Sequence, residues 1–264
     1  MSIITISRGS YYQGKKIAEK VAQKLDFACF SRDTLLETLG EFHIPEIKLI
    51  RNIQDAISVL DRFPYGKERY MEAMKSAALK QFQNDNVVYH GLAGLFFVQD
   101  VSHVLKVRII QDLEMRVEEE IKRENISAQE ARYVLKKDDD ERRKWSLYLY
   151  GIDIENPSLY DVVLNIGDIT ADHAIDTIIS AAKLSCFKTT PESQKRIDDL
   201  TLAAQARVAL FEFPSASISA RDGKIFVGLK APLAQQKTIV PNIENALKDI
   251  AGVEDIDIRF EPYL

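Results

Sequence analysis

Short apolar runs alternate with longer amphipathic segments over the first two-thirds of the chain. The apolar runs predict β-strands at residues 3–7, 27–30, 86–90, 104–110 and 160–166. The amphipathic segments predict helices at residues 14–25, 33–39, 45–60, 67–82, 111–124, 127–137 with a helical continuation over 138–150, and 170–186. Strands separated by helices in this order predict a parallel, doubly wound α/β sheet.

The run at residues 104–110 indicates how this sheet is covered. Five of its seven residues are apolar, so the run does not alternate between apolar and polar positions. A strand with that composition is typically buried on both faces, because helices pack on either side of a parallel sheet. We therefore expect helices on both faces.

The pattern changes after residue 187. Residues 188–193 are polar, include a proline and predict a linker. Asp222-Gly223 is a hairpin signal between two alternating segments. The elements predicted beyond the linker are a helix, a hairpin, a helix and a strand, at residues 194–211, 215–220, 224–229, 235–250 and 253–260. We therefore predict an α/β domain at residues 1–187 and a small α+β domain at residues 193–264.

Composition and charge exclude several classes of protein. Of the 264 residues, 46% are hydrophobic and 28% charged, as in ordinary globular proteins. The net charge of −5 provides no basic field, so we expect no specific nucleic-acid partner. No apolar run approaches the roughly 18 residues that span a bilayer, and the N-terminus has no export signal. We therefore expect a cytoplasmic protein.

Histidine and cysteine are scarce. The four histidines and two cysteines have no metal-ligand spacing, so we expect no structural metal site. Cys29 and Cys186 lie in apolar contexts, and we expect two buried, reduced thiols. We also expect His90 and His103 to be packing or surface residues rather than bases.

Residues 9–15 carry the G-x-x-x-x-G-K spacing of a phosphate-binding loop. The motif follows the first predicted strand and opens a helix, whose backbone N–H groups and dipole favour a phosphate. The alternative is an ordinary tight turn between a strand and a helix. The candidate nucleotide phosphate-binding residues are Gly9, Ser10, Tyr11, Tyr12, Gln13, Gly14, Lys15 and Lys16.

Several segments, taken in order, resemble the cytidylate-kinase-like P-loop family. They are residues 4–8, 17–22, 30–33, 86–91, 107–109, 139–142, 149–151 and 160–165. The resemblance extends from residue 1 to about residue 186. It implies a P-loop NTPase-type sheet and transfer of the γ-phosphoryl group of ATP to a nucleoside monophosphate, normally a pyrimidine one, with Mg²⁺.

The resemblance also implies catalytic residues. Lys15 would contact the β- and γ-phosphates of the donor. Asp139 and Arg142 match the family's lid, whose arginines neutralise charge on the transferring phosphoryl group through their planar fork of donors. The alternative for residues 136–144 is a solvated, charged start of a helix.

The acceptor site is implied by Arg32 and Asp33, which match the place where the family begins it. The alternative is that these two residues simply open a helix after a strand. Trp145, Tyr148 and Tyr150 are expected to pack on a helix face, and stacking on a nucleobase is the alternative.

The chain departs from the family in three places. Tyr11, Tyr12 and Gln13 replace residues that are usually glycine-rich and would crowd the phosphates. Lys16 replaces the hydroxyl residue that commonly reaches Mg²⁺, which leaves the requirement for Mg²⁺ open. Residues 91–93 read Gly-Leu-Ala where the family commonly has Gly-Arg-Gly. A non-catalytic nucleotide or anion sensor is therefore the rival hypothesis.

Residues 218–228 and 251–256 resemble a BON-type domain. The resemblance implies binding rather than catalysis, with a protein or a membrane surface as the partner of the C-terminal unit. Oligomerisation and contact with the kinase-like domain are the alternatives.

Overall fold

The computed structural model describes residues 2–9, 11–38 and 53–261. Within these residues the chain forms eight β-strands and nine α-helices. The strands are β1 (Ile3–Arg8), β2 (Ala28–Ser31), β3 (Val87–His90), β4 (Val104–Gln111), β5 (Val162–Ile166), β6 (Ser217–Arg221), β7 (Lys224–Lys230) and β8 (Asp255–Glu261). The helices are α1 (Tyr11–Leu25), α2 (Arg32–Thr38), α3 (Ile53–Leu60), α4 (Gly66–Phe82), α5 (Leu113–Glu124), α6 (Ala128–Tyr150), α7 (Ala171–Ala182), α8 (Pro191–Ala209) and α9 (Leu233–Leu247).

Strands β1 to β5 form one parallel sheet in the order β2-β3-β1-β4-β5. The central strand is β1, in which Ile6 pairs with His90 of β3 and with Val107 of β4. All pairings in this sheet are parallel, so the carboxyl ends of the strands meet at one edge. The predicted α/β sheet is confirmed, with each strand placed within two residues of its predicted position.

Helices cover both faces of this sheet, as the apolar run at residues 104–110 predicts. On one face, Ile4, Ile6 and Val88 pack with Ile17 and Val21 of α1 in a core that α7 completes. Alternate side chains of a strand point to opposite faces, so the neighbouring residues of the same strands serve the other core.

The opposite face carries the larger aromatic residues. Ile3, Val87 and Tyr89 pack there with Tyr70 of α4 and Trp145 of α6. Burial of side chains this large contributes the greatest hydrophobic stabilisation per residue. The aromatic core therefore fixes α4 and α6 against the sheet.

Helix α8 contributes to two hydrophobic cores. Ile197 and Ala204, two turns apart, pack in the aromatic core beside α4. Leu202, Ala206 and Leu210 pack in the core of the C-terminal unit. Residues 191–193, predicted as linker, form the first turn of α8. The N-terminal and C-terminal units are thus joined by a shared helix, and the division at residues 187–193 stays a prediction.

The C-terminal unit has the predicted order of helix, hairpin, helix and strand. Strands β6, β7 and β8 form a mixed sheet in which β7 pairs antiparallel with β6 and parallel with β8. Asp222 and Gly223 have φ angles of 54° and 74°, as a two-residue type I′ turn requires. The fold class is therefore as predicted for this unit as well.

Residues 128–150 form one continuous helix, as the helical pattern that continues from residues 127–137 over residues 138–150 predicts. Other expectations differ from the structure. Cys29 and Cys186 are free but exposed, so the expectation of buried thiols is wrong. Ser10 and the first part of the predicted helix at residues 45–60 lie outside the described residues. None of the described helices has the length and apolar character needed to cross a membrane.

Candidate active site at the carboxyl edge of the sheet

Polar side chains end three adjacent strands of the parallel sheet. Arg8 ends β1, His90 ends β3 and Gln111 ends β4, and all three are buried. Ligands of open parallel sheets bind outside the carboxyl ends of the strands. This edge of the sheet is therefore the candidate active site.

The connection between β1 and α1 is shorter than predicted. Helix α1 begins at Tyr11 and not at Gly14, so Tyr11, Tyr12 and Gln13 of the predicted loop are helical. A Cβ on Gly14 would lie 2.5 Å from Cγ of Arg8, so the glycine is needed where the Arg8 side chain crosses α1. The Gly9 N–H donates to the Ile109 carbonyl at 2.7 Å.

The two lysines of the motif lie on the first turns of α1. The Lys15 side chain is 48% exposed, and its Nζ lies 3.8 Å from Oε1 of Glu19 on the next turn. Lys16 is exposed. The described geometry therefore places Lys15 at the rim of the buried edge rather than inside it.

Helix α6 brings a partly buried arginine to the end of β1. Nη1 of Arg142 donates to the carbonyl oxygen of Arg8 at 2.9 Å. Burial first, and then the charge of the Arg8 guanidinium, lower the pKa of Arg142 to about 10. Asp139, one turn earlier, accepts two hydrogen bonds from Arg116 of α5, at 2.7 and 2.9 Å. Arg142 therefore contacts the end of β1, whereas Asp139 is held by Arg116 of α5.

Glutamines from α1 and β4 meet a carboxylate from α5. Nε2 of Gln13 and Nε2 of Gln111 both donate to Oε1 of Glu119, at 2.7 and 3.0 Å. The amide oxygens of both glutamines are buried with no hydrogen-bond partner among the described residues. Glu119 therefore fixes the first turn of α1 to the neighbouring strand and helix.

His90 is buried at this edge of the sheet, with 5% of its surface exposed. From the sequence we expected a packing or surface residue. Burial first, and then the charges of Arg8 and Lys15, lower the pKa of the imidazole to about 4. One feature of the sequence could have indicated a place in the site. His90 is a titratable residue at the end of an apolar run that predicts a strand.

The predicted acceptor residues open α2 and differ in burial. Arg32 is 6% exposed, and its Nε and Nη2 donate to the Tyr70 hydroxyl at 3.3 and 3.1 Å. Its guanidinium carbon lies 5.7 Å from the centre of the Trp145 ring. Asp33 is exposed, 3.7 Å from Nη1 of Arg32. Arg32 thus links α2 to α4 and α6, whereas Asp33 faces outward.

The aromatic residues near the end of α6 pack in the core. Trp145 lies 5.6 Å from the Tyr150 ring, centre to centre, and 6.3 Å from the Tyr70 ring. Tyr148 is partly buried against the same core, and its hydroxyl donates to Asp61. Packing, the first interpretation, therefore describes Trp145, Tyr148 and Tyr150. The Nε1 of Trp145 is buried with no partner among the described residues.

The departure at residues 91–93 removes a charge from this edge. Leu92 is buried, and its carbonyl oxygen accepts a hydrogen bond from the Tyr89 hydroxyl at 2.6 Å. The described residues also contain no group of three or more His, Cys, Asp or Glu side chains placed to hold a metal ion.

The chain is similar to known proteins over about 70% of its length. The cytidylate kinase of Archaeoglobus fulgidus is 34% identical over 189 residues, which cover 70% of this chain and 97% of that protein. The cytidylate kinase of Thermococcus kodakarensis is 31% identical over 114 residues, covering 43% of this chain and 56% of that protein. An uncharacterised protein from Eubacterium ventriosum shares the fold, with a TM-score of 0.55 and 18% identity over 69% of this chain and 97% of its own. Residues 3–168 match the model of the cytidylate kinase-like family, and the chain belongs to that family.

Proposed function

We propose that this protein transfers the γ-phosphoryl group of ATP to a pyrimidine nucleoside monophosphate. The observation that supports the proposal most directly is the hydrogen bond from Arg142 to the end of β1, which brings its partly buried guanidinium beside that of Arg8. Guanidinium groups bind phosphate oxygens through charge-assisted hydrogen bonds. The similarity to the Archaeoglobus fulgidus cytidylate kinase supports the choice of reaction and of acceptor class.

The proposed catalysis rests on positioning and charge neutralisation, because phosphoryl transfer requires little covalent chemistry from the protein. Arg8 and Arg142 would pair with oxygens of the transferring group in the fork geometry that suits phosphate. Asp139 holds Arg116 in place beside them. Lys15, Gly9 and Gly14, with the rest of the motif up to Lys16, would receive the phosphates of the donor.

The residues at this edge fit the phosphates of a nucleoside triphosphate, because Arg8, Arg142 and Lys15 carry positive charges there. Mg²⁺ would neutralise charge on the transferring phosphoryl group when bound. With Lys16 in place of a hydroxyl residue, the ion would be held mainly by the phosphates of the nucleotide, as is common for Mg²⁺. We place the acceptor beside Arg32, whose guanidinium Tyr70 and Trp145 hold in a fixed position.

Purified protein incubated with ATP, Mg²⁺ and a panel of nucleoside monophosphates tests the proposal through formation of nucleoside diphosphate. We expect turnover with pyrimidine monophosphates and its loss in Lys15→Ala. The matched control is Lys20→Ala, further along α1, whose exposed side chain donates to Gln23 and whose loss should leave most of the activity. Absence of turnover with every acceptor would contradict the proposed reaction.

A second candidate is a nucleotide sensor without turnover. The observation that favours it is the pair of hydrogen bonds from Gln13 and Gln111 to Glu119, here called the clasp on Glu119. These bonds fix the first turn of α1 at a place where the family usually has a glycine-rich loop. Helix α8 would then relay the bound state to the C-terminal unit, since Ile197 and Leu202 lie in different cores. Thermal stabilisation by ATP without diphosphate formation would support this candidate.

A further inference from the structure

His90 and Arg8 lie on the same face of the sheet. Ile6 pairs with His90 across β1 and β3, and Arg8 follows Ile6 by two residues, so all three side chains point to one side. Val88, two residues before His90, packs on that side against α1. The His90 ring therefore lies beside Arg8, beneath the first turns of α1.

The Nδ1 of His90 is buried and has no hydrogen-bond partner among the described residues. A buried polar atom without a partner costs free energy that one hydrogen bond would recover. The ring lies at the carboxyl end of a parallel strand, the edge outside which ligands of open parallel sheets bind.

The charged groups around the ring are cationic. Arg8 acts on it from β1 and Lys15 acts on it from α1. From α2, the guanidinium of Arg32 is directed to Tyr70 on the other face, and Asp33 is exposed. On β3 itself, Tyr89 donates to a backbone carbonyl. This field, together with burial, keeps the imidazole neutral at neutral pH.

We propose that His90 is a phosphate ligand that takes up a proton when the nucleotide binds, so that a phosphate oxygen bridges His90, Arg8 and Lys15. The inference rests on the proposed function, because it assigns a residue to the same site. In the step, a neutral imidazole gains one proton from solvent and donates the new N–H to a phosphate oxygen. A bound anion reverses the sign of the local field and stabilises the imidazolium.

Proton uptake has a measurable consequence for affinity. At a pH where His90 is neutral in the free protein and protonated in the complex, ATP affinity falls about tenfold for each unit of rising pH. The terminal phosphate of ATP also titrates near neutral pH, so the wild-type protein is compared with His90→Asn. Calorimetry in buffers of different ionisation enthalpy counts the protons taken up, and we expect up to one more in wild-type protein than in the variant.

Histidine NMR of the full-length wild-type protein tests the same inference without a substitution. We expect the pKa of His90, about 4 in the free protein, to rise by at least one unit with saturating ATP. The signal of the exposed His173 should not respond. An unchanged His90 titration in protein that ATP demonstrably stabilises would overturn the inference while leaving the proposed binding intact.

The remaining outcomes separate the two proposals. A rise in the His90 pKa with ATP but without diphosphate formation supports the role of His90 and contradicts the proposed turnover. Failure of ATP and of inorganic phosphate to bind, judged by thermal stabilisation and by the His90 signal, would overturn both.

Discussion

Arg142 donates a hydrogen bond to the carbonyl oxygen of Arg8, and so joins helix α6 to the end of the central strand at 2.9 Å. The contact places a second guanidinium beside that of Arg8, and both its burial and this like charge lower its pKa to about 10. A phosphate bound at this edge would interact favourably with both guanidinium groups.

Substitution of Arg142 tests its role in phosphoryl transfer. We expect Arg142→Lys to lower kcat by about 10³-fold, because a lysine cannot reproduce the planar fork and arginines in this role contribute at least that much. Arg143→Lys is the control, since Arg143 is exposed and pairs with Asp153 outside the site. Equal activity of the two variants would contradict the assignment.

Gly14 is predicted to be intolerant of a side chain. In Gly14→Ala the new Cβ would meet the Arg8 side chain, and we expect the free energy of unfolding to fall by about 1–3 kcal/mol together with weaker ATP binding. Gly167→Ala is the control, because its nearest atom would be Sδ of Met115 at an ordinary 3.7 Å. Urea denaturation and an ATP titration measure both effects. The same loss in both variants would argue against a specific contact.

The clasp on Glu119 is predicted to stabilise the start of α1. Glu119→Ala leaves two amide donors without their acceptor, which should lower the free energy of unfolding by about 1–3 kcal/mol. The Michaelis constant for ATP should rise, since Gln13 belongs to the candidate phosphate-binding segment. Glu118→Ala, at the exposed neighbouring position, should change neither quantity. If the Glu119 variant were as stable as wild type, the clasp would be structurally irrelevant.

Acid should destabilise the free protein through His90. Its pKa in the folded state, about 4, lies below the value near 6.5 of an unfolded chain, so the unfolded state binds a proton more readily. The stabilisation is therefore complete above pH 6.5 and is lost as the pH falls towards 4, by about 3 kcal/mol in total. Urea denaturation of wild type and His90→Asn across this range should show the difference, and parallel curves would contradict it.

The shared helix α8 predicts that the two units unfold together. Truncation after residue 187 removes Ile197 and Ala204 from the aromatic core, which exposes apolar surface of α4. We expect the truncated chain to be several kcal/mol less stable or insoluble, since each large core truncation costs about 2–5 kcal/mol. Differential scanning calorimetry of the full chain should show one transition. Two separate transitions would support independent domains.

The sequence predicts the fold well where periodicity is strong. The five parallel strands and the Asp222-Gly223 hairpin follow from apolar runs and turn chemistry, both of which are local. The start of α1 is missed because glycine spacing favoured a loop, whereas tertiary contacts of Gln13 with Glu119 hold that turn in the helix. Cys29 is exposed despite its apolar neighbours, because β2 is an edge strand.

The candidate site is only partly readable from sequence. Arg142 and Asp139 are found through family resemblance, and their partners Arg8 and Arg116 appear only when α6 crosses the sheet edge. The place of His90 in the candidate site is missed because it depends on the register between β1 and β3, and no local sequence pattern gives that register. The neighbours of such residues are set by contacts between segments that are far apart in the sequence.

The proposed phosphoryl transfer to a pyrimidine nucleoside monophosphate can be measured with ATP labelled in its γ-phosphoryl group. The acceptors are CMP, dCMP and UMP, with AMP as the purine control. We predict formation of labelled pyrimidine nucleoside diphosphate by the wild-type protein and loss of at least 10³-fold of that activity in Arg142→Lys. No labelled diphosphate from a folded protein that binds ATP would contradict the account.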